Sequence, residues 1–366
     1  MTTDLVDRYC GAIVGLAIGD ALGHPTEFVG SVPGIRARWG PSGLTGFEST
    51  GRHPAGTFTD DTQMTIAVAR ALIGAGADDL EALMARMSEE FVAWSRSPQN
   101  NRAPGGACMS GCSRLSYGTP WRSAGVADSK GCGAAMRAAP VGLFFHADDE
   151  RLVRLALAQS APTHRHPTGF ASSVAAAAAV AWAARGEPLA GLLDFVESCV
   201  TRITPEQLLE MGAFPDLVER FGVTEMLDSL QDVRANRDVE DDDVCHITGG
   251  GWIGEEAVAA ALWCVLRAEG DFRQSVLRGA NSSGDSDSIA SIAGGIAGAM
   301  CGLHALPLEW VRDVEEGARL RELGRVLHHV ATTGEVRPPD PALTFYTRRP
   351  TEAAAEPEPP AAPDDK

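Results

Sequence analysis

Apolar residues recur at helical spacing along most of the chain and predict α-helices rather than strands. The predicted helices are Val6–Ala21, Asp61–Ile73, Leu80–Ser95, Arg151–Ala161, Gly169–Arg185, Leu189–Ile203, Glu255–Arg267 and Ile289–Leu303. Several of them are apolar on nearly every face, which indicates burial among other helices. No series of alternating strand patterns and no convincing repeat is present. The pattern therefore predicts an all-α, compact multi-helix globular domain.

Glycine is concentrated between the predicted helices, where the backbone of a loop can approach a ligand closely. We expect such loops at Gly19–Gly23, Gly40–Gly56, Gly105–Gly111, Gly131–Gly133 and Gly249–Gly254. Near Arg337 the composition changes to Pro, Ala and Glu. Residues 1–336 are therefore predicted to form the folded domain and 337–366 a tail, which is expected to be disordered at least from Pro350.

The chain has 366 residues and a formal net charge of -18 at pH 7, and its only lysines are Lys130 and Lys366. This acidity disfavours non-specific nucleic-acid binding, although a metal-bridged or locally basic pocket could still accept a phosphorylated small molecule. Asp4 and Asp7 stand where a secretory signal would carry positive charge, and we expect no long charge-free apolar run further on. The eight cysteines are scattered without metal or redox spacing. We therefore expect a cytoplasmic protein with reduced thiols and no membrane partner.

Two acidic clusters lie far apart in the sequence, Thr59-Asp60-Asp61-Thr62 and Asp285-Ser286-Asp287-Ser288. Each precedes a predicted helix, so N-capping is the simpler interpretation of either cluster alone. Four consecutive oxygen-bearing side chains nevertheless exceed what a cap needs. Oxygen ligands without His or Cys suit Mg²⁺, Mn²⁺ or Ca²⁺. If folding brings the clusters together, they would form a metal site, with Asp285 and Asp287 on one side of an extended loop.

Three other segments are ambiguous by themselves. Gly249–Gly254 matches G-x-G-x-x-G, but the acidic segment before it excludes a dinucleotide-binding strand, which leaves phosphate contact through its amides open. Thr163–Pro167 carries two histidines whose simplest interpretation is a turn with exposed imidazoles. Gly131–Arg137 could be a tightly packed turn, and Glu27 could be an ordinary surface or capping carboxylate.

Together these segments resemble the ADP-ribosylglycohydrolase family. The resemblance rests on Gly15–Phe28, Phe58–Thr62, Gly131–Pro140, Thr163-His164, Gly251–Trp263 and Asn281–Ser288, which occur in the family's order. They span most of the chain, and an ordered set of motifs is far more specific than one tetrapeptide.

The resemblance implies an all-α fold with two Mg²⁺ or Mn²⁺ ions. By matching position, the implied metal ligands are Thr59, Asp60, Asp61, Asp285, Asp287 and Ser288. Glu27 matches a glutamate with a catalytic role in some relatives, and Asp60 and Asp61 join it as catalytic candidates that mainly hold metal. The implied substrate-binding residues are Gly131, Cys132, Gly133, His164 and Gly251. Cys132 departs from the residue that some relatives carry, which concerns substrate recognition rather than the metal site.

The implied activity is metal-dependent hydrolysis of the glycosidic bond between the distal ribose of ADP-ribose and an acceptor, which releases ADP-ribose. Alternatives are a non-catalytic ADP-ribose-binding or structural protein on the same fold, and a dinuclear-metal phosphoesterase. The expected partner is an ADP-ribose-containing substrate, including an ADP-ribosylated protein, and we expect a monomer. The sequence leaves open whether the acceptor is arginine, serine, a nucleic-acid base or an O-acetyl group. It also leaves open which carboxylate is the acid and which the base.

Overall fold

The structure is a computed structural model that describes residues 4–337. Within that range it is helical, and the regular elements besides α-helices are short 3₁₀ turns and two isolated β-bridges. The expected all-α architecture is confirmed. The helices are α1 Leu5–Gly23, α2 Val32–Trp39, α3 Asp60–Ala75, α4 Leu80–Ser95, α5 Gly106–Ser116, α6 Trp121–Ala124, α7 Ala139–Phe144, α8 Asp149–Ser160, α9 Pro167–Arg185, α10 Leu192–Thr201, α11 Pro205–Glu210, α12 Pro215–Phe221, α13 Thr224–Ala235, α14 Cys245–Thr248, α15 Gly254–Arg267, α16 Phe272–Ala280, α17 Ser286–Cys301, α18 Leu308–Asp313 and α19 Gly317–Thr333.

The centre of the fold is the antiparallel pair α1 and α17, which form the most extensive helix–helix interface. Glycines at every fourth position of α1, namely Gly11, Gly15, Gly19 and Gly23, face the backbone of α17. A Cβ atom on Gly19 would lie 1.9 Å from the carbonyl oxygen of Ala290, and one on Gly15 would lie 2.5 Å from that of Gly294. The two helices therefore touch backbone to backbone, as only glycine permits at this distance.

Other helices enclose this pair. Helices α16 and α19 pack on α1, and α9 packs on α7, α8, α10 and α15. The guanidinium of Arg8 donates to the carbonyl oxygens of Ala183, Ala299 and Met300. It thereby ties the start of α1 to the C-terminal ends of α9 and α17, where a positive charge is favourable.

Helix α9 is long and apolar enough to cross a membrane by length and composition, contrary to the expectation of no such run. However, 94% of its apolar window is buried inside the protein. Its small alanine side chains at 175–179 let α8, α10 and α15 approach it. Its apolar character is thus accounted for by helix packing.

Two segments that we expected to be loops are helical. Gly19–Gly23 continues α1 to its end, and most of Gly105–Gly111 lies in α5. The reason is tertiary packing: a Cβ atom on Gly111 would lie 2.1 Å from the carbonyl oxygen of Pro162. Close approach between elements therefore required glycine where its low helix propensity suggested a loop. The expected disordered segment from Pro350 lies outside the described residues.

We predict that Gly19→Ala will destabilise the protein, because the new methyl group must displace the backbone of α17. Overpacking of this kind costs about 1–3 kcal/mol or more. Gly295→Ala is the matched control on α17, since its Cβ atom would meet side-chain atoms no closer than 3.6 Å. Thermal unfolding should show a clear fall in Tm for Gly19→Ala and no fall for Gly295→Ala. Equal Tm values would contradict the close packing of α1 and α17.

Candidate metal centre and active site

The first acidic cluster is oriented by Asp20, a buried carboxylate in the last turn of α1. Its Oδ1 accepts from the amide of Thr59 at 2.8 Å, and its Oδ2 accepts from the amide and hydroxyl of Thr62 at 3.0 and 2.6 Å. These bonds satisfy amides at the start of α3 that have no partner within the helix. Helix α1 thereby fixes how α3 presents Asp60 and Asp61.

Thr59 is the N-cap of α3, and its hydroxyl accepts from the amide of Asp61 at 3.4 Å. The capping interpretation of this cluster is therefore correct for Thr59. It does not account for Asp60 and Asp61, which are both buried. The two aspartates remain candidates for metal binding.

The second cluster lies at the start of α17, which begins at Ser286. The expected extended loop is wrong, because Asp285 is the N-cap and Asp287 is already in the first helical turn. The amide of Asp285 donates to the carbonyl oxygen of Gly250 at 2.8 Å. The hydroxyl of Ser286 donates to the carbonyl oxygen of Gly23 at 3.0 Å, which joins the ends of α1 and α17.

Folding brings both clusters and Glu27 to one place. Glu27, Asp285 and Asp287 each have a carboxylate oxygen within 4.8 Å of the others. Ser291 on α17 donates to Oδ1 of Asp61 at 2.9 Å and so links the second cluster to the first. A cavity of about 250 Å³, here called the acidic cavity, is lined by Glu27, Asp60, Asp61, Gly131, Cys132, Gly133, His164, Asp285, Asp287 and Ser288, together with Trp252 and parts of α5.

The acidic cavity concentrates buried negative charge. Six carboxylates at and behind it are less than 8% exposed: Asp20, Glu27, Asp60, Asp61, Asp285 and Asp287. Burial, reinforced by neighbouring carboxylates, raises the pKa of Glu27 to about 10. Burial also raises the pKa of Asp60 and of Asp285 to about 7, and it raises those of Asp61 and Asp287 well above their usual range. Such a site requires protons or cations to neutralise it.

The donor set fits a hard divalent cation. The predicted ligands offer only carboxylate and hydroxyl oxygens. Oε2 of Glu27 is buried and has no hydrogen-bond partner among the described residues. Arg137, a fully buried guanidinium nearby, donates to Gln159 and Thr163 rather than to a carboxylate of the cavity. The excess negative charge is therefore not offset by a direct ion pair with Arg137.

His164 lies in the wall of the acidic cavity together with Gly131 and Gly133. It is 3% exposed, and burial, followed by the charge of Arg137, lowers its pKa to about 3, so the imidazole is neutral. Its Nδ1 lies 2.8 Å from the hydroxyl of Thr163. A Cβ atom on Gly133 would lie 2.8 Å from the ring, so glycine is needed beside it. The expectation of exposed imidazoles is wrong for His164 and also for His166, which is buried.

The glycine-rich loop before α15 supports this wall. The carbonyl oxygen of Trp252 accepts from the amide of Cys132 at 3.2 Å, and the amide of Gly254 donates to the carbonyl oxygen of Lys130 at 2.8 Å. Gly251 itself does not line the acidic cavity, and its amide already donates to Glu256 at 3.1 Å. Within this loop, Trp252 is the residue that reaches the cavity.

Cys132 contacts a predicted metal ligand. Its thiol donates to Oδ2 of Asp285 at 3.0 Å and lies 3.5 Å from the hydroxyl of Ser288. Burial and the charge of Asp285 raise its pKa well above the usual range, so it is a neutral donor in this arrangement. Its position connects the wall that contains Gly131, Gly133 and His164 with the second acidic cluster.

Three residues that position the site are absent from the sequence-based site prediction. Asp20 holds the start of α3, Ser291 contacts Asp61, and Thr26 donates to the carbonyl oxygen of Ala280 at 2.6 Å in the turn that carries Glu27. Asp20 had a detectable signal, because it is a lone acidic residue in an otherwise apolar stretch of α1. Ser291 and Thr26 had none, because small hydroxyl residues are common in buried helices and turns.

The chain is similar to known proteins over most of its length. The family model described as ADP-ribosylglycohydrolase matches residues 1–336. The ADP-ribosylarginine hydrolase Tri1 of Serratia proteamaculans is 26% identical over 337 residues, which cover 90% of this chain and 81% of that protein. ADP-ribosylhydrolase ARH3 of Mus musculus is 26% identical over 355 residues, with 89% and 92% covered. A solved ADP-ribosylglycohydrolase-related protein complex shares the fold, with a TM-score of 0.68, 24% identity and coverage of 89% of this chain and 99% of that one.

We predict that the chelator-treated protein loses stability as the pH rises from about 5 to about 8. The folded-state pKa values of Asp60 and Asp285 are raised to about 7. A raised carboxyl pKa stabilises the fold fully below the unfolded value near 4, and this contribution disappears as the pH passes the folded value. Tm measured in chelator should therefore be lower at pH 8 than at pH 5.5.

Magnesium should reverse this trend, because the cation replaces the protons and competes better with them at high pH. The rise in Tm on adding Mg²⁺ should be larger at pH 8 than at pH 5.5. Asp285→Asn, which removes one titrating group, should show a smaller fall in chelator. A Tm in chelator that is independent of pH would contradict the buried-carboxylate explanation.

Proposed function

The chain belongs to the ADP-ribosylglycohydrolase family, and from this premise we propose that it is a divalent-metal-dependent enzyme that frees ADP-ribose from an acceptor. The hydrolase class and an ADP-ribose-containing substrate follow from the family and from relatives that are named hydrolases. The bond cleaved would be the one between C1 of the distal ribose and the acceptor. The observation that carries the proposal is the convergence of Glu27 with both acidic clusters in one cavity.

Two cations, Mg²⁺ or Mn²⁺, would be held by Asp60, Asp61, Asp285 and Asp287, with the hydroxyls of Thr59 and Ser288 as further ligands. Bound there, the cations would supply a means to orient the ribose hydroxyls and to activate water. The chain prepares this arrangement through Asp20 and Ser291, which fix the aspartates of the first cluster. Ligands fixed in this way need little reorganisation when the substrate binds.

Glu27 would handle the proton of the attacking water. Its Oε2 atom is buried and has no hydrogen-bond partner among the described residues. No other side-chain oxygen of the described residues that line the cavity is both buried and without a partner. Neutralising the neighbouring aspartates would lower its raised pKa, since part of the rise comes from Asp287 and Asp60. Its closeness to Asp285 and Asp287 also supports the alternative that it joins the metal ligands.

The wall formed by Gly131, Gly133 and His164 would bind the ADP-ribose side of the substrate. A neutral, buried imidazole can donate or accept a hydrogen bond without repelling or attracting a charge. The glycines leave room for ribose or phosphate close to the backbone. Cys132 would hold Asp285 in place from the same wall.

The experiment that tests this function is an assay of the purified protein on a panel of ADP-ribose linkages. We expect free ADP-ribose as the product in Mg²⁺ or Mn²⁺ and a loss of most activity after exhaustive chelation. Release of AMP with ribose phosphate would instead identify a phosphoesterase. ADP-ribose binding without turnover of any linkage would identify a non-catalytic binding protein.

We predict that Glu27→Gln lowers kcat strongly while leaving ADP-ribose binding largely intact. The amide keeps the size of the side chain but cannot take up a proton, and general acid–base assistance is typically worth about 100- to 10,000-fold. Turnover should be measured beside thermal shifts with Mg²⁺ and ADP-ribose. Glu48→Gln, at an exposed position in the 40–56 loop, is the control and should behave as the unmodified protein. Near-normal turnover of Glu27→Gln would reject its catalytic role.

A further inference from the structure

A second cavity lies directly beside the acidic cavity. It measures about 270 Å³ and shares Glu27 and Ala103 with the acidic cavity. Three arginines line it, Arg38, Arg52 and Arg102, together with the imidazoles of His24 and His53. We call it the arginine pocket. Among the described residues, the one acidic side chain that lines it is that of Glu27, at the junction of the two cavities.

The charges of the arginine pocket are only partly balanced. Arg102 is buried and forms a bidentate ion pair with Glu315, with N···O distances of 2.6 and 2.9 Å. Arg38 and Arg52 form no ion pair with any carboxylate among residues 4–337. The Arg38 guanidinium lies 4.5 Å from the Trp39 ring centroid. A chain with a net charge of -18 therefore presents a cationic pocket next to its most acidic site.

The junction between the two cavities is well defined. Phe28, which lines the arginine pocket, stacks on Trp252, which lines the acidic cavity, with ring centroids 6.2 Å apart and an interplanar angle of 23°. Glu27 precedes Phe28 and borders both cavities. A substrate whose reacting carbon lies beside Glu27 would therefore place one side in each cavity.

We propose that the arginine pocket receives the leaving group, and that this leaving group is joined to the distal ribose through a phosphate. The proposal rests on the proposed function, which puts the ribose in the acidic cavity. The planar guanidinium groups of arginine match phosphate oxygens in geometry and charge. In this pocket a guanidinium acceptor would instead meet Arg38 and Arg52, and Glu27 is the one carboxylate of the described residues that lines it.

The reaction is a hydrolysis and needs no further reactant. The oxygen of water forms a bond to C1 of the distal ribose, and the bond between C1 and the phosphate oxygen breaks with its electron pair. One proton of the water remains on the new ribose hydroxyl, and the other is taken up by Glu27 and then by the departing phosphate or solvent. The products are ADP-ribose and the phosphate of the acceptor, whose negative charge Arg38 and Arg52 would stabilise.

The test compares two substrates that differ in the charge of the leaving group: ADP-ribose 1″-phosphate and ADP-ribosylated arginine. We expect a higher kcat/KM for the phosphate substrate. Arg38→Ala and Arg52→Ala should each lower that value by up to about 5-fold, the range for an exposed ion pair. Reversing both charges, Arg38→Glu with Arg52→Glu, should lower it further and should raise kcat/KM for the arginine substrate.

Arg36→Ala is the matched control. Arg36 lies on the same helix as Arg38 and is similarly exposed, but it pairs with Asp242 and lies outside the arginine pocket. It should leave both substrates unaffected. A second measurement, binding of inorganic phosphate to the chelator-treated protein, should show weaker binding in the Arg38→Ala Arg52→Ala variant and no change in Arg36→Ala.

Three results would overturn the proposal. Faster hydrolysis of the arginine substrate, unaffected by the charge reversals, would reject a phosphate leaving group while upholding ADP-ribosyl hydrolysis. Equal weakening of free ADP-ribose binding in the Arg38 and Arg52 variants would show that the pocket holds the pyrophosphate of ADP-ribose. No release of ADP-ribose from any linkage in the panel would reject the proposed function and this inference together.

Discussion

The backbone contact between α1 and α17 is the constraint on which the rest of the structure depends. Glycines at every fourth position of α1 let the two helices pack without intervening side chains. On α17, Gly294 and Gly298 face the backbone of Gly15 and Gly11. This contact places the end of α1 directly against the start of α17. Asp20 and Glu27 therefore lie beside Asp285 and Asp287, although more than 250 residues separate them in the chain.

The acidic cavity is held in shape by helix packing and by hydrogen bonds at the ends of α1 and α3. Burial of several carboxylates within a few ångströms opposes folding unless protons or cations neutralise them. The structure offsets this cost by packing rigid helices behind the site. Asp20 and Thr59 satisfy amides at the start of α3, and the hydroxyl of Ser286 donates to the last carbonyl oxygen of α1. The same burial that makes the site costly without neutralisation is the reason for proposing that cations occupy it.

The cleft is divided into an acidic half and a cationic half, which is the basis of the leaving-group proposal. The acidic cavity has the carboxylate oxygens and the glycine-lined wall. The arginine pocket has the guanidinium groups of Arg38 and Arg52, which form no ion pair among residues 4–337, and that of Arg102, which pairs with Glu315. Glu27 is the carboxylate that borders both. Relatives with the same fold need not share this division, since the 40–56 loop and helix α2, which supply Arg52 and Arg38, lie on the surface, where sequences change readily.

The sequence by itself determined the helical class, the approximate course of the principal helices and the identity of the acidic clusters, because these depend on periodicity and composition within short segments. It did not reveal that Gly106–Gly111 is helical, that His164 is buried, or that Asp20 orients α3, because each depends on contact between distant segments. The arginine pocket is the clearest case: Arg38, Arg52 and Arg102 share no local pattern. Only the tertiary structure brings them beside Glu27, since burial and charge balance are properties of the packed chain.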